Sequence, residues 1–207
     1  MKQLKDSTTE EKILDAAKEV FMKYGLYGAR MQDIADTAGI NKALLHYYFR
    51  NKEKLFDKVF EGALEKYFRQ MEIFGDTQLP IRERIFRYID NIIDFLSEYP
   101  QMSMFIIKEI SVNPDLFREK VIALKKNKGS KLIVVLQEGM AHGEIPQIDP
   151  VLFLINLHSL CSYPFLAASL FRHIVRANSL EWNDPENLLL KASVKRFVEN
   201  TLGTPTV

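Results

Sequence analysis

Apolar residues recur at three- and four-residue intervals from Ile13 to Leu202, the spacing of helices that bury one face. The first helix reads from a capping box, Thr8-Thr9-Glu10-Glu11, with Glu11 reaching back to the Thr8 backbone. Ile13, Leu14, Ala17, Val20, Phe21 and Tyr24 form its buried stripe, and Gly25 stops it. Residues 31–38 predict a short second helix that buries Ile34, Ala35 and Ala38. Gly39 can adopt the left-handed conformation that ends such a helix without a Cβ penalty. Ile40 is then expected to return to the core, and Asn41 to cap a third helix over 42–48, with Leu45, Tyr48 and Phe49 turned inward. A fourth helix is predicted over 52–74, burying Leu55, Val59, Phe60, Ala63, Leu64, Tyr67 and Met71. The clearest break in the chain follows it, Gly75 to Pro80.

Beyond the break the pattern predicts only helices, over 81–98, 101–112, 115–142, 150–177 and 184–202. Gly129-Ser130 is a place for the long third of these to kink or divide. Pro164 must bend the fourth, because it lacks a backbone donor and crowds the Leu160 carbonyl. Residues 204–207 are expected to fray. The fold class is therefore all-α, with about nine helices. The expected division is residues 1–51, an N-terminal three-helix unit with a helix-turn-helix, and 52–207, a C-terminal helical domain.

The pair of helices around Gly39 is a compact corner that pushes its second member outward, the geometry that places a recognition helix in a DNA major groove. Tyr47, Tyr48, Phe49, Arg50, Asn51, Lys52 and Lys54 gather aromatics and cations at the start of the next helix. Asn51 can cap that helix, so its free N–H groups and Lys52 are placed to grip a phosphate. The stretch Ile-Ala-x-x-Ala-Gly-Ile-Asn-Lys-Ala-x-Leu-x-Tyr-Tyr-Phe-x-x-Lys-Glu-x-Leu, from Ile34 to Leu55, resembles the signature of the TetR (tetracycline-repressor-like) family. The resemblance covers about the first quarter of the chain. It implies a ligand-responsive, dimeric transcriptional regulator on a palindromic double-stranded operator. It also implies that Asn41, Lys42, Ala43, Leu44, His46 and Tyr47 face the groove or its phosphates. Arg30, Gln32 and Lys52 would meet the DNA backbone or flanking bases. Ala29 stands where the family commonly has a Thr cap, Leu44 where a small polar residue is frequent, and His46 where Tyr is commonest.

Composition qualifies this picture rather than extending it. Lys and Arg number 28 against 27 Asp and Glu, so DNA binding must rest on a local patch, which residues 30–58 supply. A 47% hydrophobic content allows a sizeable core. The single Cys161, among Leu160, Tyr163 and Phe165, reads as a buried thiol of a cytoplasmic protein. Residues 1–12 are polar and alternate in charge, so no secretory signal is read there. Residues 150–171 carry no charge, which approaches the roughly 20 apolar residues of a membrane span. Asn156, His158, Ser159, Ser162, Pro164 and Ser169 interrupt them, and a helix buried against its own domain and a partner explains them better. Lys125, Lys126, Lys128 and Lys131 lack interleaved aromatics and read as a solvated face.

No glycine-rich phosphate loop, His-Glu-x-x-His pair or serine nucleophile elbow is present, and the four histidines are isolated in sequence. No enzyme, metal site or cofactor is expected. The second domain instead holds adaptable apolar residues with a few polar ones, the composition of a small-molecule pocket. Phe95, Tyr99, Met102, Phe105, Lys108, Asn156, His158 and Phe165 are the candidates for an apolar ligand. Lys108 needs a partner, which is Glu109, Glu138 or an anionic group of the ligand. A lone His158 on an apolar helix reads more readily as a hydrogen-bonded core histidine than as a catalyst. Val151, Leu154, Leu157, Phe165 and Leu166, with Leu188, Leu189, Val194 and Val198, exceed what one core can take, so a homodimer through the two C-terminal helices is expected. The alternative class is an all-helical protein–protein adaptor whose helix-turn-helix is only structural.

Overall fold

A computed structural model of the chain describes residues 9–115, 118–120, 122, 131–177 and 187–203. Among these residues ten α-helices have described bounds, residues 114–115, 118–120 and 122 are helical besides, and there is one 3-10 turn and no strand, against the nine or so helices expected. The helices are α1 (Thr9–Gly28), α2 (Met31–Ala38), α3 (Lys42–Tyr48), α4 (Lys52–Arg69), α5 (Ile81–Glu98) and α6 (Met102–Val112). They continue with α7 (Lys131–Ala141), α8 (Pro150–Leu166), α9 (Ala168–Ala177) and α10 (Leu188–Leu202). The expected Thr8 cap, the middle of the helix over 115–142 with its Gly129-Ser130 hinge, and the lysine side chains at 125, 126, 128 and 131 lie outside the described residues. So do the start of the last helix near Asp184 and the tail over 204–207.

The chain packs as two units. The first comprises the described part of Met1–Leu64 together with Phe105–Pro114. Its core joins Ile13, Ala17 and Phe21 of α1, Ile34 and Ala35 of α2, Leu45 of α3 and Leu55, Phe56, Phe60 and Leu64 of α4. Phe21 meets Phe56 edge-on at 5.0 Å, Phe56 stacks on Phe60 at 5.6 Å, and Phe105 of α6 closes the cluster 5.6 Å from Phe60. Gly25 does interrupt α1, with φ 69° and ψ 179°, but a further helical turn follows it to Gly28. Ala38 and Ile40 are half-buried, and Tyr48, expected inside, is 40% exposed. Seven residues are too few to give α3 a second inward row beside Leu45.

The second unit comprises Glu65–Met104 and the described part of Asp115–Val207. The packing boundary thus falls inside α4, beyond the 51/52 division expected between functional domains. α4 itself stops at Arg69; Glu72–Gly75 is a 3-10 turn that carries buried Phe74, where one continuous helix was expected. α5 is the hub, with Ile81, Ile85, Tyr88, Ile89, Ile92, Ile93, Phe95 and Leu96 all buried. It packs on the 3-10 turn, α7, α8 and α10. Lys195 of α10 reaches Asp90 of α5 at 2.7 Å, and Arg82 donates to the Leu202 carbonyl at 2.8 Å. Asp149 caps α8 by accepting from the Val151 and Leu152 amides. The bend expected from Pro164 falls at Ala167, where α8 and α9 meet at 69°. No single described helix is long and apolar enough to cross a membrane.

Candidate nucleic-acid interface

The turn between α2 and α3 is built from two residues with opposite backbone needs. Gly39 has φ 67° and ψ 32°, and its N–H closes back on the Ala35 and Asp36 carbonyls. Two residues on, Asn41 is extended and its Oδ1 accepts from the Leu44 amide at 2.8 Å. With Leu45 alone fully buried, α3 presents Lys42, Ala43, Leu44, His46 and Tyr47 to solvent; Tyr47 is 80% exposed and meets Tyr48 edge-on. Asn41 is also exposed, at the first turn of the helix. Asn51 repeats the device at α4, its Oδ1 accepting from the Lys54 amide at 2.9 Å.

The flanking candidates are more constrained. Lys52 is half-buried and its ammonium donates to the Ala29 carbonyl at 3.0 Å, tying the start of α4 to the corner before α2. Two of its three N–H groups are left for other acceptors. Arg30 is exposed at the N-cap position of α2 without a side-chain cap. Gln32 is exposed and donates to Asp36 at 2.8 Å. The Ala29 anchor has no signal in the sequence, because any residue could supply that carbonyl.

The ligand candidates do not form one group. Phe105 belongs to the aromatic core of the first unit. Lys108 is exposed, lies over Gly25, and its charge acts on neighbouring Glu109. Asn156 is exposed and lines a cavity of about 380 Å³ between α8 and α10, with Phe153, Leu157, Phe197 and Thr201. Phe165 is half-buried and Met102 fully buried. What the second unit does bring together is a polar cluster around His158. The Tyr67 hydroxyl bonds its Nε2, and the Tyr88 hydroxyl bonds Nδ1 at 2.9 Å. A neutral ring offers one donor and one acceptor, so one tyrosine donates and the other accepts. Burial holds the His158 pKa below its ordinary value and pushes both tyrosines up. Phe95 extends the cluster, 6.1 Å from Tyr67 and 5.3 Å from Tyr99. Cys161 is buried, and that burial raises its pKa to about 12. The sequence hinted at Tyr67 and Tyr88 only through the need of any buried tyrosine for a partner.

A capped, outward-facing α3 packed against α2 is the helix-turn-helix arrangement found in DNA-binding proteins. Residues 13–59 match the family described as bacterial regulatory proteins, tetR family. The HTH-type transcriptional regulator RutR of Escherichia coli (strain K12) is 27% identical over 151 residues, covering 72% of this chain and 71% of that protein. Among solved structures, a Streptomyces coelicolor protein superposes with a TM-score of 0.70 at 23% identity, over 96% of this chain and 100% of that one. The Bacillus subtilis transcriptional regulator FadR, solved in complex with stearoyl-CoA, gives 0.66 at 18% identity, over 94% and 100%; both share the fold. Residues 13–59 carry the DNA-binding domain of the tetR family, and the chain is a DNA-binding transcriptional regulator.

Proposed function

We propose that this protein is a cytoplasmic, homodimeric repressor that occupies a palindromic operator and leaves it when a small, mostly apolar molecule binds its second unit. The observation that carries the reading is the exposed face of α3. Asn41 and Lys42, at its first turn, are the residues assigned to base edges, and Ala43, Leu44, His46 and Tyr47 to the groove wall and phosphates. Lys52, with Arg30 and Gln32, is assigned to the DNA backbone.

The ligand is assigned to the neighbourhood of Phe95, Tyr99, Met102, His158 and Phe165. Aromatic and thioether side chains with one hydrogen-bonding cluster suit an apolar molecule that carries a single polar group. The stearoyl-CoA of FadR supports that chemistry, a long apolar chain on a polar head. Tyr67 stands on α4, the helix that follows the recognition helix, so a ligand that breaks the Tyr67–His158 bond would act on α4 directly. Dimerisation is assigned to α8 and α10. Val151, Leu152 and Ile155 of the first and Leu188, Leu189 and Phe197 of the second are exposed, an apolar area that a monomer would leave in water.

The test is a thermal-shift screen of fatty acids, acyl-CoA thioesters and other apolar metabolites, followed by DNA binding at a saturating concentration of any hit. The expected coupling is about 1–3 kcal/mol and reciprocal, so operator DNA weakens the hit by the same factor. A hit that raises the melting temperature yet leaves DNA affinity unaltered contradicts the switch.

A further inference from the structure

Glu109 is the only Asp, Glu, Lys or Arg side chain that is buried among the described residues, at 3% exposure. It stands on α6 and faces the interruption of α1. Gly25 has φ 69° and ψ 179°, outside the helical range, and the Leu26 backbone beside it favours the ionised Glu109 carboxylate against the burial that raises its pKa. A Cβ on Gly25 would lie 3.4 Å from Glu109 Oε1 and 3.1 Å from Lys108 Nζ, so two residues of α6 fill the hollow that glycine leaves. Glu109 Oε2 is buried and makes no hydrogen bond to any described residue. Four residues earlier on the same face of α6, Phe105 is held against Phe56 and Phe60. The end of α6 is therefore fixed to the first unit at two points, one apolar and one charged.

What lies beyond the interruption gives the charged point its meaning. Ala29 closes the turn through its N–H on the Gly25 carbonyl at 3.2 Å. Its own carbonyl receives the Lys52 ammonium, and Arg30 follows at the N-cap position of α2. A shift of the 25–30 corner would move Lys52 and the start of α2 together. A buried carboxylate costs several kcal/mol of desolvation that a neutral acceptor would avoid, and its negative charge works against an approaching phosphate backbone. Electrostatics alone would favour its removal.

We propose that Glu109 is a positioning residue for DNA binding: it pins the Gly25–Arg30 corner from α6 and so holds Lys52 and α2 in register with the duplex, without touching DNA. The inference rests on the DNA-binding reading above. The probe is a duplex that the wild-type protein selects from a random pool, with affinity measured at fixed salt. Glu109→Ala is expected to lose about tenfold in affinity, the scale of one buried hydrogen bond. Glu109→Gln, which keeps an acceptor for Leu26 and drops the charge, should stay within about threefold of wild type. Ile13→Ala, buried in α1 away from Glu109 and Phe105, serves as a control for general loss of stability and should keep its affinity at a similar melting temperature. Wild-type affinity in Glu109→Ala overturns the proposal, and so does equal loss in the Ile13→Ala control. Should Glu109→Ala fail to fold, Glu109→Asp retracts the acceptor by one methylene and must show the loss instead; unchanged binding there overturns the proposal as well. If the wild type selects no duplex, the DNA-binding reading fails, and hydrogen exchange at the Leu26 amide still decides the pin. Faster exchange in Glu109→Asp than in Glu109→Gln supports it, and equal exchange overturns it.

Discussion

Lys42 and Lys52 carry the same charge into different surroundings, and their substitutions should separate accordingly. Lys42 is exposed on the first turn of α3, whereas the half-buried Lys52 spends one N–H on the Ala29 carbonyl. Lys42→Ala is expected to cost about 1–3 kcal/mol on the preferred duplex and to relax preference at one base pair. Lys52→Ala should weaken all duplexes alike and lower the salt slope by about 1. Titrations at several salt concentrations, on preferred and scrambled duplexes, distinguish the two. His158 makes a prediction of a different kind. Its folded pKa lies below the unfolded value because burial disfavours the charged ring. The unfolded chain then binds more protons below about pH 6.5, so the stability present above that pH is lost as pH falls, by up to about 1.4 kcal/mol per unit. The loss levels off below the folded pKa. Melting temperatures between pH 7.5 and 5.5 should show this fall, and His158→Gln should remove its share of it.

The helix termini that could be read from sequence are those made by single residues with a strong backbone or capping preference. Gly39, Asn41, Asn51 and Pro80 each fix an end where expected, because their effect is local. Gly39→Ala should cost about 1 kcal/mol, since an alanine there keeps φ 67° only under strain. Asn41→Ala should cost about another 1 kcal/mol for the lost cap; thermal or urea unfolding measures both. What stayed illegible was set by distant packing. Phe56 sits at the centre of the first core although its neighbours, Leu55 and Val59, already made a sufficient stripe. α4 gives way at Arg69 without any Gly or Pro to mark the place. Glu109 read as one half of a charge pair with Lys108, and only the fold carries it to the Gly25 corner, more than 80 positions away in the chain.

At the scale of the molecule, α8 and α10 show what composition can and cannot say. Their apolar excess was plain, but a helix that is apolar all round gives no direction. Leu157, Val194 and Val198, expected at a partner, are buried within the chain; Val151, Leu188 and Leu189, expected there too, are exposed, and Leu152, Ile155 and Phe197 join them. In the proposed dimer, the cavity beside Phe197 and Asn156 is the place for a second copy to fill. Phe197→Glu, at the cavity's edge, should convert the dimer to a monomer by sedimentation at micromolar concentration while leaving helicity intact. A wild-type monomer under the same conditions contradicts that interface. The central claim, that α3 reads DNA sequence, is tested most directly by sequencing the fragments that purified protein retains from a random duplex pool. The expected result is one enriched palindrome with half-sites about one helical turn, or a multiple of it, apart. Lys42→Ala should blur that palindrome at one position per half-site. Retention that is indifferent to sequence, or absent at low salt while the protein stays folded, would contradict the account.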